Sequence, residues 1–113
     1  MNEVILDGKV QKNINFLSDI ISFNISSITG KFKLIDNSVK NRFTYIRVIY
    51  PYQLDEYTQS ILVPDNMVRI YGKIDSEQYE TKDGKIVYNK IICANKIVKI
   101  YYNDSTKMYE EVI

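Results

Sequence analysis

The sequence predicts an all-β domain: a small barrel of five strands with one helix set between the third strand and the fourth. Three observations predict it. Apolar and polar residues alternate with a period of two along most of the chain from Glu3 to about Ile97, as strands buried on one face require. Helical spacing of apolar residues is confined to one stretch, Tyr52 to Val63. Turn signals, among them Pro64-Asp65-Asn66 and Asp83-Gly84, separate the alternating runs.

The first strand is Glu3 to Lys12, with Val4, Leu6, Gly8 and Val10 on one face and Asp7 and Lys9 on the other. The second runs from Ile20 to about Ile28, setting Ile21, Phe23 and Ile25 against Ser22, Asn24 and Ser26, and a polar loop follows. The third, Asn41 to Tyr50, backs an aliphatic face of Ile46 and Val48 with an aromatic and basic one of Phe43, Tyr45 and Arg47. Pro51 has no amide for a ladder and ends that strand. In the helix, Leu54, Tyr57 and Ile61 form one apolar stripe that caps an end of the barrel. In the fourth strand Val68, Ile70 and Ile74 alternate with Met67, Arg69, Tyr71 and Lys73. Thr81-Lys82-Asp83-Gly84-Lys85 turns a hairpin that joins Gln78–Glu80 to Ile86–Tyr88, and the fifth strand continues to about Ile97. Residues 1–102 are expected to form the domain and 103–113 a short polar tail. Many short strands alone could equally make a sandwich; the helix after the third strand points to an OB-fold, a five-stranded Greek-key barrel.

Composition narrows the function. A chain of 113 residues, 45% hydrophobic and 26% charged, suits one globular core. Apolar runs such as Ile61-Leu62-Val63 fall far below the roughly 20 residues that cross a bilayer. The Met1-Asn2-Glu3-Val4 start has neither a basic stretch nor an apolar run of a secretory leader, so the expected compartment is the cytoplasm. Histidine is absent, which removes the commonest general base and the commonest transition-metal ligand. Cys93, in Ile91-Ile92-Cys93-Ala94, reads as a small buried hydrophobe. Gly8, Gly30, Gly72 and Gly84 lie too far apart to cradle a phosphate, and no pair of carboxylates has metal-site spacing. Asn24-Ile25-Ser26 matches a glycosylation sequon, a chance match without a leader. A non-enzymatic protein with no catalytic residue, metal or cofactor is expected.

The net charge of +1 hides an uneven distribution. From Lys31 to Tyr50, Lys31, Lys33, Lys40, Arg42 and Arg47 stand against Asp36 alone, a local charge of +4, whereas the helix and its exit carry Asp55, Glu56 and Asp65 with no base. One cationic side to track phosphates and one acidic side facing away are expected. Lysines at positions 31 and 33 could equally do no more than solvate a loop. Ten tyrosines prove little by number, because A- and T-rich coding inflates Tyr, Ile, Asn and Lys together. Position is more telling: Tyr45 and Tyr71 fall on the outward phase of their strands, beside Arg47, Arg69 and Lys73, where a base-stacking platform would sit. Tyr50 and Tyr57 fall on the core phase or the helix stripe and read as packing. Tyr101 and Tyr102 could be interface or core cover.

Along residues 2–97 the chain resembles the bacterial single-stranded DNA-binding proteins. Asn2-Glu3-Val4-Ile5-Leu6-Asp7-Gly8-Lys9-Val10 is similar to that family's opening strand, Tyr45-Ile46-Arg47-Val48-Ile49 to its third, and Met67-Val68-Arg69-Ile70-Tyr71-Gly72-Lys73-Ile74 to its fourth. Tyr79, Lys82-Asp83-Gly84-Lys85 and Tyr88 resemble its long hairpin. The resemblance implies single-stranded DNA as partner, in replication, recombination or repair, with a homo-oligomer, dimer or tetramer, and no cofactor. It implies stacking by Tyr45, Tyr79 and Phe32 or Phe43, and, with the charge pattern, phosphate contacts from Lys31, Lys33, Arg47, Arg69 and Lys73. Family members often stack on tryptophan, of which this chain has none, and usually end in a flexible linker and acidic tip that recruits replication proteins. The ending Met108-Tyr109-Glu110-Glu111-Val112-Ile113 has neither, which suggests a specialised version carried by a phage, plasmid or other mobile element. Two competing expectations are a primosomal-type OB-fold module whose partner is a helicase or other replication factor, and an RNA-binding OB domain.

Overall fold

A computed structural model describes residues 2–17, 19–53 and 55–112. Leu54, the first residue of the expected helix stripe, lies outside them, as do Met1 and Ile113 at the ends of the expected domain and tail. The order is β1 (Val4–Val10), β2 (Asn15–Phe16), β3 (Ile21–Lys33), β4 (Val39–Tyr50), α1 (Glu56–Ile61), β5 (Met67–Glu80), β6 (Ile86–Asn103) and β7 (Met108–Glu111). The sheet runs β1-β5-β6-β4-β3-β2, and a further β1–β3 pairing closes it into a barrel. The β4–β6 pair is parallel, Val48 opposite Ile92 and Ile49 opposite Cys93, and the other pairs are antiparallel. This is the five-stranded OB path, with the helix between its third and fourth strands as expected.

The predicted alternation makes the core. Val10, Ile21, Phe23, Ile25, Val48, Val68 and Ile70 are fully buried, joined by Ile61 and Leu62 from the helix end and by Ile92, Ala94 and Ile97 from β6. Burial of each large side chain contributes about 1.5 to 3 kcal/mol. Gly72 lets the strands cross closely: a Cβ there would lie 2.3 Å from the Cys93 carbonyl oxygen, and the β5–β6 register shifts at this point. Beyond the shift the strand leaves the barrel, so Ile74, expected on the core phase, is 49% exposed. Cys93, expected to be buried, lies on the outward phase between buried Ile92 and Ala94 and is partly exposed.

The helix is shorter than the expected Tyr52–Val63. Asp55 caps it by accepting the Thr58 amide at 2.6 Å, and it ends at Leu62, two residues before Pro64. Its buried face is Thr58 and Ile61, so Tyr57, read as packing, is half exposed, and its hydroxyl accepts the Lys99 amide at 3.1 Å. Tyr50 does pack against the core. The first strand ends at Val10, two residues early, and is followed by the unforeseen two-residue β2. The largest departure concerns the loop expected after Ile28: the chain stays paired to Lys33, and β4 begins at Val39.

Because β4 and β6 run parallel, the hairpin tips that precede them project from the same end of the barrel, while α1, which follows β4, lies at the other. Two arms result, β3–β4 and β5–β6. The second turns at Gly84 (φ +84°), with the Thr81 amide donating to the Lys85 carbonyl at 2.8 Å. Asn2 clamps its root, the side-chain amide donating to the Ile74 carbonyl at 2.8 Å and accepting the Ile74 amide at 3.0 Å.

Candidate nucleic-acid interface

Directly opposed residues of an antiparallel pair share a face. On the β3–β4 arm Tyr45 opposes Ser26, Phe43 opposes Ile28 and Arg47 opposes Asn24. A register shift between Ile28 and Gly30 then changes the phase of β3, so that Lys31 opposes Asn41 and Lys33 opposes Val39. Since 39, 41, 43, 45 and 47 alternate regularly along β4, the bulge brings Lys31 and Lys33 to the face that carries Phe43, Tyr45 and Arg47. Phe32, opposite Lys40, takes the other face. Tyr45 is 68% exposed, Phe43 51% and Phe32 40%. At the tip, hydrogen bonds from the Ser38 hydroxyl and amide hold the Asp36 carboxyl below its ordinary value.

On the second arm Tyr79 opposes Val87 and shares its face with Glu77. Arg47 Nη1 meets Glu77 Oε1 at 3.4 Å, tying the Tyr45 face of one arm to the Tyr79 face of the other. This exposed pair adds little stability, yet it fixes which faces meet. Tyr88, Ile86 and Ile74 occupy the opposite face of the second arm, and all are exposed.

Arg69, Tyr71 and Lys73 are placed differently. Arg69 Nε and Nη2 donate to the two Asp7 carboxylate oxygens at 2.7 and 3.0 Å. Nη1 reaches Glu111 Oε2 at 3.4 Å, and Nη2 also donates to the Tyr109 carbonyl at 3.1 Å. The Tyr71 hydroxyl donates to Glu111 Oε2, and Lys96 Nζ sits 5.2 Å above the Tyr71 ring. The hydrogen bond from Tyr71 pulls the Glu111 carboxyl below its ordinary range, while Glu111 pushes the Tyr71 hydroxyl up. Lys73 borders a separate hollow with Asn2, Glu3 and Tyr52. The fold therefore gathers Lys31, Lys33, Phe43, Tyr45, Arg47 and Tyr79 around the arms, engages Arg69 and Tyr71 with β7, and sets Lys73 apart.

Sequence reasoning set Tyr88 in the long hairpin without giving it a place in the site, and it missed Glu111 and Tyr109. For Tyr88 the signal was present, four residues past the hairpin glycine on a two-residue period. For Glu111 and Tyr109 it was not, because nothing local says that β7 folds back on β6 to pair Ile100 with Glu111 and Tyr102 with Tyr109. A groove of about 720 Å³ lies between β1, β3 and β5 and reaches β7, lined among others by Ile5, Ile28, Phe43, Met67, Arg69 and Tyr109. Among the described residues no cluster of His, Cys, Asp and Glu could hold a metal, and no helix is long and apolar enough to cross a membrane.

Barrel order, helix position and paired arms define a protein of the OB-fold class. No family model and no curated protein matches the chain. Solved structures do share its fold. A single-stranded DNA-binding protein of Plasmodium falciparum, solved in complex with single-stranded DNA, is 17% identical with a TM-score of 0.67, over 86% of this chain and 90% of that one. A small single-stranded DNA-binding protein of Streptomyces coelicolor is 16% identical with a TM-score of 0.65, over 88% and 95%. A deletion variant of the Thermus aquaticus single-stranded DNA-binding protein is 16% identical with a TM-score of 0.64, over 89% of this chain and 51% of that one.

Proposed function

We propose that this chain is a non-enzymatic binder of single-stranded DNA, acting where strands are separated in replication, recombination or repair. The observation that carries the reading is the pair of arms projecting from one end, with exposed Tyr45 and Tyr79 on faces tied together by Arg47–Glu77. Stacking on such rings tolerates any base, since every base has a π face. Lys31, Lys33 and Arg47 supply phosphate contacts along the same path, with Phe43 as a further ring; Phe32, on the opposite face of the arm, serves only a strand that wraps around it. Lys73 serves a strand only where it wraps past the root of the second arm. The likeness in fold to proteins solved as single-stranded DNA binders supports the same reading. Labelled oligo-dT titrated against a duplex of equal length tests it. Tighter binding to the single strand, weakening with salt at a log-log slope of about −0.7 per phosphate, is expected; preference for duplex refutes it. An oligo-U arm decides between DNA and RNA.

A second observation favours self-association. Among the described residues only Lys9 and Val10 of β1 pair with β3, and the Asp7 carbonyl accepts the Ser27 hydroxyl, so the edge that remains open lies toward Val4, beside exposed Ile5 and Ile28. A second copy of β1 would cover that edge. Sedimentation should then show a dimer or larger species, and a 13.3 kDa monomer at micromolar concentration overturns this part.

A further inference from the structure

The contacts of Arg69 divide by edge. Asp7 takes the side-on edge, Nε and Nη2, while β7 takes the end-on edge, with Glu111 Oε2 on Nη1 and the Tyr109 carbonyl on Nη2. A guanidinium already paired side-on keeps an end-on fork that matches two oxygens of a phosphate. Here two oxygens of β7 fill it. Around the fork stand the Tyr71 hydroxyl, a donor aimed at the same Glu111 oxygen, and the Lys96 ammonium above the Tyr71 ring. With Glu111 in place, Arg69 and Lys96 are balanced by Asp7 and Glu111; without it the cluster carries one uncompensated positive charge.

We propose that the end-on edge of Arg69, with the Tyr71 hydroxyl and Lys96, is a phosphate subsite that Glu111 of β7 occupies in the free protein and yields to a nucleic-acid phosphate. The subsite rests on the nucleic-acid reading above and extends the strand's path from the arms onto the outer face of β5.

The strap is built to leave. β7 is four residues long and pairs with β6 on one side, and none of its side chains is buried. Met108 and Val112 are well exposed, and Tyr109 contributes an edge-on ring contact with Tyr102 at 5.2 Å. Segments with so few buried contacts open at the low end of the stability range. Displacement also leaves an imprint on salt dependence. A phosphate that replaces Glu111 breaks an ion pair that salt itself weakens, which offsets part of the salt dependence of binding.

Two variants of the full chain test this, Glu111→Gln and Tyr71→Phe, read by oligo-dT affinity and salt slope. A second readout is hydrogen exchange of residues 108–112 with and without inorganic pyrophosphate. Glu111→Gln should bind oligo-dT about two- to fivefold more tightly, the scale of one partly exposed ion pair, and its slope should steepen, by at most the roughly 0.7 of one phosphate. Tyr71→Phe keeps the negative charge but loosens the strap and a subsite donor, so β7 exchange should rise while the slope stays nearer wild type. Pyrophosphate should accelerate β7 exchange in wild type and much less in Glu111→Gln. If wild type binds oligo-dT and Glu111→Gln matches it in affinity and slope, the subsite is wrong while the nucleic-acid reading stands. If no form binds oligo-dT but pyrophosphate releases β7, the anion subsite stands and the nucleic-acid reading falls. If neither happens, both fall.

Discussion

Tyr45→Ala removes a residue that is 68% exposed. Truncating a fully buried aromatic costs roughly 3 to 5 kcal/mol of folding stability. With about a third of this residue covered, the packing loss scales to about 1 kcal/mol, or about 4 to 8 °C in thermal midpoint for a domain of this size. A base stacked on an exposed ring contributes about 1 to 3 kcal/mol, which is about a 5- to 150-fold loss of affinity. Binding should therefore fall by at least as much free energy as stability, and by up to about three times as much. Oligo-dT anisotropy and a thermal melt on the same preparation measure both. Phe23→Ala, at a residue 1% exposed, sets the scale of a true core deletion, about 3 to 5 kcal/mol. Tyr45→Phe keeps the ring and should keep most of the affinity. Unchanged affinity in Tyr45→Ala, with a midpoint lowered as far as in Phe23→Ala, would mean that Tyr45 is a packing residue.

Gly72→Ala puts a Cβ 2.3 Å from the Cys93 carbonyl oxygen and 2.9 Å from the Ala94 Cα, both backbone atoms. It should cost at least the roughly 1 to 3 kcal/mol of an overpacked core. Gly84→Ala meets only a Glu80 carboxylate oxygen at 4.0 Å, an ordinary contact, but must hold φ near +84°, so urea midpoints should show the smaller loss there, about 1 kcal/mol. Glu111 is held below its ordinary value of 4.5 by the Tyr71 hydrogen bond, and Tyr71 above its ordinary 10.0 by Glu111. The contribution of Glu111 to docking is thus full above the unfolded carboxyl value and lost as pH falls through the lowered one. That of Tyr71 is full below the unfolded phenol value and lost as pH rises through the raised one. Tyr109 ring resonances should stay constant between these limits and shift outside them; a transition near neutrality contradicts the network. Ile5→Asp places a charge on a side chain 65% exposed beside the open part of the β1 edge. It should lower the sedimentation coefficient toward that of a monomer without lowering the thermal midpoint measured at high dilution.

The barrel was legible because period-two alternation depends on burial of one face, and that burial is what closes the sheet. Val10, Phe23, Ile25, Val48 and Ile70 were all placed on the core phase by their spacing alone and are all buried. The Asp83-Gly84 turn was legible for a local reason too, since its positive φ needs glycine; the expected pairing of Gln78–Glu80 with Ile86–Tyr88 is the observed one. What was hidden depends on register over distance. A bulge after Ile28 decides that Lys31 and Lys33, which looked like loop residues, join the face of Phe43 and Tyr45. Ile74 kept its apolar character where the strand had already left the core. Arg69 looked like a surface cation, and only the return of β7 brings Glu111 to it from 42 residues away.

Photocrosslinking of an iodo-deoxyuridine oligo-dT, with the modified peptides sequenced by mass spectrometry, tests the central claim most directly because it asks at once whether a single strand binds and where. Crosslinks at Tyr45, Tyr79 and Phe43, and none on α1, are predicted, and excess unlabelled oligo-dT should compete them away. No competable crosslink, or crosslinks on Glu56–Ile61 with the arms untouched, would contradict the account.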